Sequence, residues 1–214
     1  MKKALFFLLI CGFVFGDMCR LDGKFYTDIK EIYEPDNWLV LVNKYKYLPK
    51  DYKPSDLVYI NGAYGNKVAL REIVKDDFIR LQKAAKDELG ITLMPTSAYR
   101  SYSTQKALYK KYVKQDGKEK ADTYSARPGH SEHQTGLAID LKNMALKKTR
   151  LSDKDYEWLE ANAHKYGFIV RYQKGKEQIT GYMFEPWHIR YLPNIATKVK
   201  ESGLTYEEWL CQTM

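Results

Sequence analysis

The chain has 214 residues, 44% of them hydrophobic, with 35 Lys+Arg against 27 Asp+Glu and a formal net charge of +8. That length supports one domain with a real core, and the apolar fraction excludes both a disordered polymer and a bundle of membrane helices. The 18 Tyr, 8 Phe and 4 Trp provide rings with polar edges, suited to a groove for a polar ligand or to a mixed core edge.

The N-terminus carries the first organisational signal. Lys2 and Lys3 precede an apolar run from Ala4 to Phe15, too short to span a bilayer and the length of a signal-peptide core. Residues 1–16 are therefore expected to be a signal peptide cut between Gly16 and Asp17, with an uncleaved anchor as the alternative. No second long apolar run follows, so no membrane span is expected in the mature chain, which is placed in the periplasm or cell envelope, free or tethered. Cys11 falls in the signal. Cys19 and Cys211 remain near the two ends, where an oxidising compartment favours a disulfide; lipidation of Cys19 or Cys11 is the rival. An exported basic surface meets acidic wall polymers or anionic lipid, or serves solubility, and nucleic acid drops out as a partner. A monomer is expected.

Residues 17–36 read as an N-terminal arm or linker and 37–214 as the folded domain. Trp38 to Val42 is a strand or a buried extended segment, and Leu48 to Pro54, with two prolines, is a loop. From Leu70 to Leu89 the period is helical, with Val74, Phe78, Leu81, Ala85 and Leu89 on one face and Gly90 as the stop. Ile91 to Met94 is a short strand. Thr104 to Gln115 is a helix with Leu108, Tyr112 and Val113 inward. Asp116 to Gly129 reads as loop and Gly136 to Leu141 as strand. Ser152 with Asp155 opens a helix that Gly167 closes. Phe168 to Tyr172 and Gly181 to Phe184 form a hairpin, Pro193 starts a helix, and Thr205 with Glu208 caps a last one. Without a βαβ rhythm, this mixture predicts an α+β fold around a mainly antiparallel sheet flanked by helices.

Two of the four histidines lie in loaded surroundings: Ser131-Glu132-His133-Gln134-Thr135-Gly136-Leu137-Ala138-Ile139-Asp140, and Glu185-Pro186-Trp187-His188. Two imidazoles and a carboxylate make a catalytic zinc set with one position left for water. Gly136 permits a turn that brings His133 and Asp140 together, and Asp140 sits in an apolar run where an unpaired carboxylate is costly. Glu185, three residues before His188, is placed to move a proton beside the metal without binding it, and Trp187 to shape and dry the site. His164 reads as structural and His130 as near enough to line the site.

These motifs resemble the VanY-type D-alanyl-D-alanine carboxypeptidases, within the zinc peptidase group that includes lysostaphin-type enzymes and the hedgehog signalling domain. Ser97-Ala98-Tyr99-Arg100-Ser101-Tyr102 with Gln105 resembles the family's upstream motif, and Leu41-Val42-Asn43-Lys44 with Leu48-Pro49 its entry segment. The likeness runs from about residue 38 to 210. It implies a hedgehog-like metallopeptidase fold, zinc (Zn2+) on His133, Asp140 and His188, and Glu185 as base. It also implies that Arg100, Gln105 and Ser131 meet the substrate's carboxylate or scissile carbonyl, and that Tyr172 faces substrate. Arg100 suits a carboxylate on chemical grounds as well, because guanidinium binds it with paired hydrogen bonds. Ala98 stands where many relatives have glycine. The expected reaction is removal of the C-terminal D-alanine from peptidoglycan stem peptides, D,D- or L,D-specific. A crosslink endopeptidase and a non-catalytic wall-binding module that keeps zinc are the alternatives.

Overall fold

The computed structural model describes residues 20–213. The expected signal peptide, its cut site and Cys19, hence the Cys19–Cys211 bridge, lie outside the described residues. Lys30–Glu31 (β1) pairs in parallel with Lys46–Tyr47 (β2). An antiparallel hairpin follows, Leu57–Asn61 (β3) and Lys67–Arg71 (β4), leading into the helix Glu72–Leu89 (α1). Next come Leu93–Ser97 (β5), Tyr102–Asp116 (α2), Lys118–Tyr124 (α3), Ala138–Asn143 (β6), Asp153–Asn162 (α4), Phe168–Tyr172 (β7), Glu177–Thr180 (α5), Glu185–Tyr191 (β8), Ala196–Ser202 (α6) and Tyr206–Thr213 (α7). β5, β6, β8 and β7, in that order, form an antiparallel four-stranded sheet. This is the α+β architecture expected. No helix among the described residues is long and apolar enough to cross a membrane.

The caps follow the sequence signals. Gly90 takes the left-handed conformation that ends α1, a geometry without steric cost only for glycine. Ser152 and Asp155 form a complete capping box at α4, and Thr205 with Glu208 does the same at α7.

Several boundaries differ from expectation, each for a physical reason. Leu70 and Arg71 belong to β4, because Leu57 and Val58 pair with them. The β3–β4 hairpin had no counterpart in the sequence reading. Residues 118–124 are helical rather than loop: Lys118 to Ala121 are good helix formers, Ala121 is buried, and Lys120 pairs with Asp116 one turn back. Of the α2 face expected to point inward, Leu108, Tyr112 and Val113 are half-buried, and Gln105 alone is fully buried. The partner of β7 is β8, not residues 181–184, because α5 occupies the intervening chain. Pro193 precedes α6 by three residues rather than opening it. Residues 38–42 form no ladder. The carbonyls of Trp38, Leu39 and Val40 are taken by side chains instead, Arg190 donating to Trp38 and Val40 and Tyr206 to Leu39.

The sheet separates an apolar face from a polar one. Ile139, Leu141, Val170 and Ile189 pack with Phe78 of α1 and Leu159 of α4 in the main core. The alternate positions Ala138, Asp140, His188, Arg190 and Arg171 share the other face, as period-two alternation requires. Two irregularities modify this rule, between Pro95 and Ser97 in β5 and between Val170 and Tyr172 in β7. Each bulge re-aims one side chain: Ser97 stands opposite Asp140, and Tyr172 turns onto the polar face opposite Glu185.

Candidate active site

The site is assembled on that polar face. Asp140 and His188 are cross-strand partners in β6 and β8, a position that brings side chains within reach of one another. His133 arrives on a short 3-10 turn, Glu132–Thr135, which Gly136 reverses into β6 at φ +70°. A Cβ there would meet Arg71 Cγ at 3.0 Å and Leu57 Cδ2 at 3.1 Å, so both the backbone angle and the space call for glycine. The result is three buried donors whose ligand atoms lie within 4.8 Å of one another, the only such group among the described residues. His133 Nε2 is 3.3 Å from Asp140 Oδ1, and His188 Nδ1 is 3.2 Å from the same oxygen. The two imidazoles meet edge to face, centroids 4.9 Å apart.

The outward nitrogens are also held. His133 Nδ1 lies 2.7 Å from the Ala98 carbonyl, and the Arg100 N–H donates to the His133 carbonyl at 3.0 Å. The 97–100 segment thus grips His133 from two sides, and the Ala98 carbonyl makes Nδ1 the protonated atom, leaving the Nε2 lone pair facing inward. His188 Nε2 lies 3.3 Å from Glu132 Oε2. Nitrogen and carboxylate donors with inward lone pairs fit a divalent transition ion, zinc above all, in a tetrahedral set with one open position.

Electrostatics sort the acids and bases. Burial, with the Arg100 charge beside it, lowers His133 to about 4, so it is a neutral ligand at neutral pH. Burial opposes the charge on Asp140, yet His133 and His188 hold it well below the usual carboxylate range. Burial pushes Glu185 up to about 7, with the negative charge of Asp140 adding to the effect against the pull of His188. Its carboxylate is 3.8 Å from His188 Nδ1. Glu185 therefore sits beside the centre with a pKa near neutrality, where a group that takes and returns protons is most effective.

Arg100 lies on the other side of Asp140, its Nη2 3.6 Å from Oδ2. It donates to Gln105 Oε1 at 2.7 Å and Ser97 Oγ at 3.0 Å. Gln105 in turn donates to the Ala126 carbonyl at 2.6 Å. Gln105 thus lines the pocket as expected, but its amide is engaged in propping Arg100. Ser131, Tyr172 and Trp187 also line the pocket; the Tyr172 ring lies 4.8 Å from that of His188. The cavity holds about 650 Å³ and reaches from the His133–Asp140–His188 centre to Tyr112 and Tyr124 on α2 and α3. His130 departs from expectation. Its Nδ1 is 2.8 Å from the Asn43 carbonyl and its ring packs on Tyr26 and Tyr47, so it braces the 43–47 segment outside the cavity lining. His164 is structural, with Nδ1 3.1 Å from Thr197 Oγ1.

Three residues at the site had no place in the sequence reading. Arg150 reaches within 3.9 Å of Asp140 Oδ2, donates to Thr96 Oγ1 at 2.7 Å and lies over the Trp187 ring. Tyr64, on the β3–β4 turn, is exposed at the cavity rim. Glu132 is wholly buried. Arg150 follows two lysines and a threonine in a polar loop, a context without a signal. Glu132 is marked only by its adjacency to His133.

A family model described as VanY, D-alanyl-D-alanine carboxypeptidase, matches residues 67–194. This chain belongs to that family. The match contains every residue of the His133–Asp140–His188 centre, together with Glu185 and Arg100. The chain is 41% identical over 204 residues to carboxypeptidase YodJ of Bacillus subtilis (strain 168), covering 88% of this chain and 75% of that protein. Among solved structures it is similar to the LdcB LD-carboxypeptidase, at 40% identity and a TM-score of 0.78, covering 86% of this chain and 90% of that one. It is likewise similar to a mutant of the vancomycin resistance D,D-pentapeptidase VanY in complex with Zn(II), at 32% identity and a TM-score of 0.70, covering 81% and 99%. The hedgehog-like metallopeptidase fold expected from the motifs is the fold observed.

The geometry predicts that Asp140→Ala, equilibrated with micromolar zinc and dialysed, retains little metal, while His164→Ala, altered at a half-buried histidine outside the centre, retains the wild-type amount. Equal metal content in the two variants, by atomic emission, would exclude this centre.

Proposed function

We propose that the chain is an exported zinc carboxypeptidase that removes the C-terminal D-alanine from peptidoglycan stem peptides, with the L,D bond of the tetrapeptide preferred. The observation that carries the reading is Glu185, a partly buried carboxylate outside the three-donor set yet 3.8 Å from His188 Nδ1, with Arg100 across Asp140. His133 Nε2, Asp140 Oδ1 and His188 Nδ1 would hold the ion. When bound, zinc supplies Lewis acidity to the scissile carbonyl and to water. Glu185 accepts the proton of the attacking water and delivers it to the leaving amino group. Arg100, steadied by Gln105 and Ser97, receives the free terminal carboxylate through its guanidinium, which favours an exopeptidase over a crosslink endopeptidase. A binding module that kept the ion without chemistry would have no use for Glu185 at that position.

The L,D preference is supported by the greater identity to the LD-carboxypeptidase than to the D,D-enzyme. Export is supported by Lys2, Lys3 and the Ala4–Phe15 run, and by a substrate class that lies in the cell wall.

Purified protein incubated with muropeptides ending in tri-, tetra- or pentapeptides should shorten the tetrapeptide by one alanine, as read by mass spectrometry. Faster pentapeptide cleavage would overturn the L,D preference, and no shortening of any would overturn the carboxypeptidase reading. Glu185→Gln should keep its zinc and lose about 10²–10⁴-fold in kcat; a metal-loaded variant with full activity contradicts the assigned base. Arg100→Ala should lose more kcat/KM on a free-carboxylate peptide than on its amide. Equal losses on both would tell against carboxylate recognition.

A further inference from the structure

Behind the centre lies a charge cluster that the mechanism above does not use. Glu132 has no exposed side-chain surface, nor do Arg171 and Arg190. Glu132 Oε1 accepts from Arg171 Nε and from Arg190 Nη1, both at 2.9 Å. Arg171 spends its other two nitrogens on Glu207 of α7, at 2.8 and 2.6 Å. Arg190 Nη2 is occupied by the Trp38 and Val40 carbonyls at 3.0 and 2.9 Å. Two guanidiniums and two carboxylates balance in charge. The other oxygen of Glu132, Oε2, has His188 Nε2 as its partner at 3.3 Å.

A buried ion cluster of this kind contributes little net stability compared with apolar residues of the same volume. What it supplies is a carboxylate whose orientation is fixed: the guanidiniums pin Oε1, so Oε2 can face only the imidazole. A carboxylate accepts and cannot donate, so Nε2 of His188 must carry a hydrogen; Nδ1, which faces Asp140 Oδ1, is then the nitrogen left to give its lone pair to a bound ion. We propose that Glu132 is the positioning residue of the centre, selecting the His188 tautomer that binds the ion, and that Arg171 and Arg190 hold it in that role. This rests on the zinc reading above.

The same geometry specifies what Glu132→Gln does. The two arginines still demand an acceptor, so the amide oxygen takes the place of Oε1 and the NH2 group points at His188 Nε2. A donor then faces a nitrogen that must donate, so Nε2 loses its hydrogen and the ring keeps the one on Nδ1, against Asp140 Oδ1, the atom the ion requires. Changing a histidine-orienting carboxylate to its amide imposes the wrong tautomer in the same way elsewhere.

The test is zinc affinity by chelator competition, with long-range 1H–15N spectra of histidine-labelled protein reporting the His188 tautomer. Glu132→Gln should bind zinc about 10–100-fold more weakly, and its metal-free His188 should lack the Nε2 hydrogen that the wild-type ring carries. Glu207→Gln breaks the same cluster without touching His188; it should lower the Tm of the metal-free protein and leave zinc affinity unchanged. If Glu132→Gln does not fold, the charge-balanced Glu132→Gln/Arg190→Met variant takes its place with the same readouts. Unaltered affinity in the Glu132 variant, or equal weakening in both variants, overturns the proposal. Wild-type protein that binds no zinc overturns the zinc reading instead.

Discussion

The register between β6 and β8 is the constraint on which the site depends. It places Asp140 directly opposite His188 and Ile139 opposite Ile189 on the reverse face, inside the main core. A slip of one residue would turn Asp140 into the apolar layer and Ile139 toward the cavity. The cost of burying that carboxylate without partners and the loss of apolar burial act together to exclude the alternative. Hydrophobic packing on one side of the sheet thus determines ligand geometry on the other. The bulges in β5 and β7, flanking this pair, add Ser97 and Tyr172 to the same face.

Three acidic side chains within this small volume take different electrostatic roles because they meet different neighbours. Asp140 faces two imidazoles and is held ionised. Glu132 faces two guanidiniums, which outweigh its complete burial and keep it ionised as well. Glu185 loses most of its water and has Asp140 as a negative neighbour, and its pKa rises to about 7. One carboxylate suits a ligand, one a fixed acceptor, and one a proton carrier. Environments that push neighbouring acids apart in this way are a recurrent feature of acid–base sites.

Much of the centre was legible in the sequence. His133, Asp140, His188 and Glu185 stand out because a carboxylate in an apolar run is costly without a partner, because Gly136 permits the turn that brings His133 to Asp140, and because the motifs resemble a known family. The caps at Gly90, Ser152 and Thr205 were legible for a local reason: they depend on one or two residues. What escaped depends on contacts distant in sequence. Nothing near Glu132 reveals that Arg171, Arg190 and Glu207 converge on it. The bulges leave no mark in the alternation of β5 and β7. The helix Lys118–Tyr124 was hidden because its apolar contact is narrow, with Ala121 its one buried residue, so its composition matched a loop. His130 looked close to the site by number alone, and packing against Tyr26 and Tyr47 takes it elsewhere.

Anomalous diffraction at the zinc edge, from crystals of zinc-loaded protein, bears most directly on the account. One peak should lie between His133 Nε2, Asp140 and His188 Nδ1, at about 2.0–2.2 Å from each, with Glu132 and Glu185 outside the ligand set. A peak elsewhere, or density in which Glu185 or His188 Nε2 binds the metal, would contradict it.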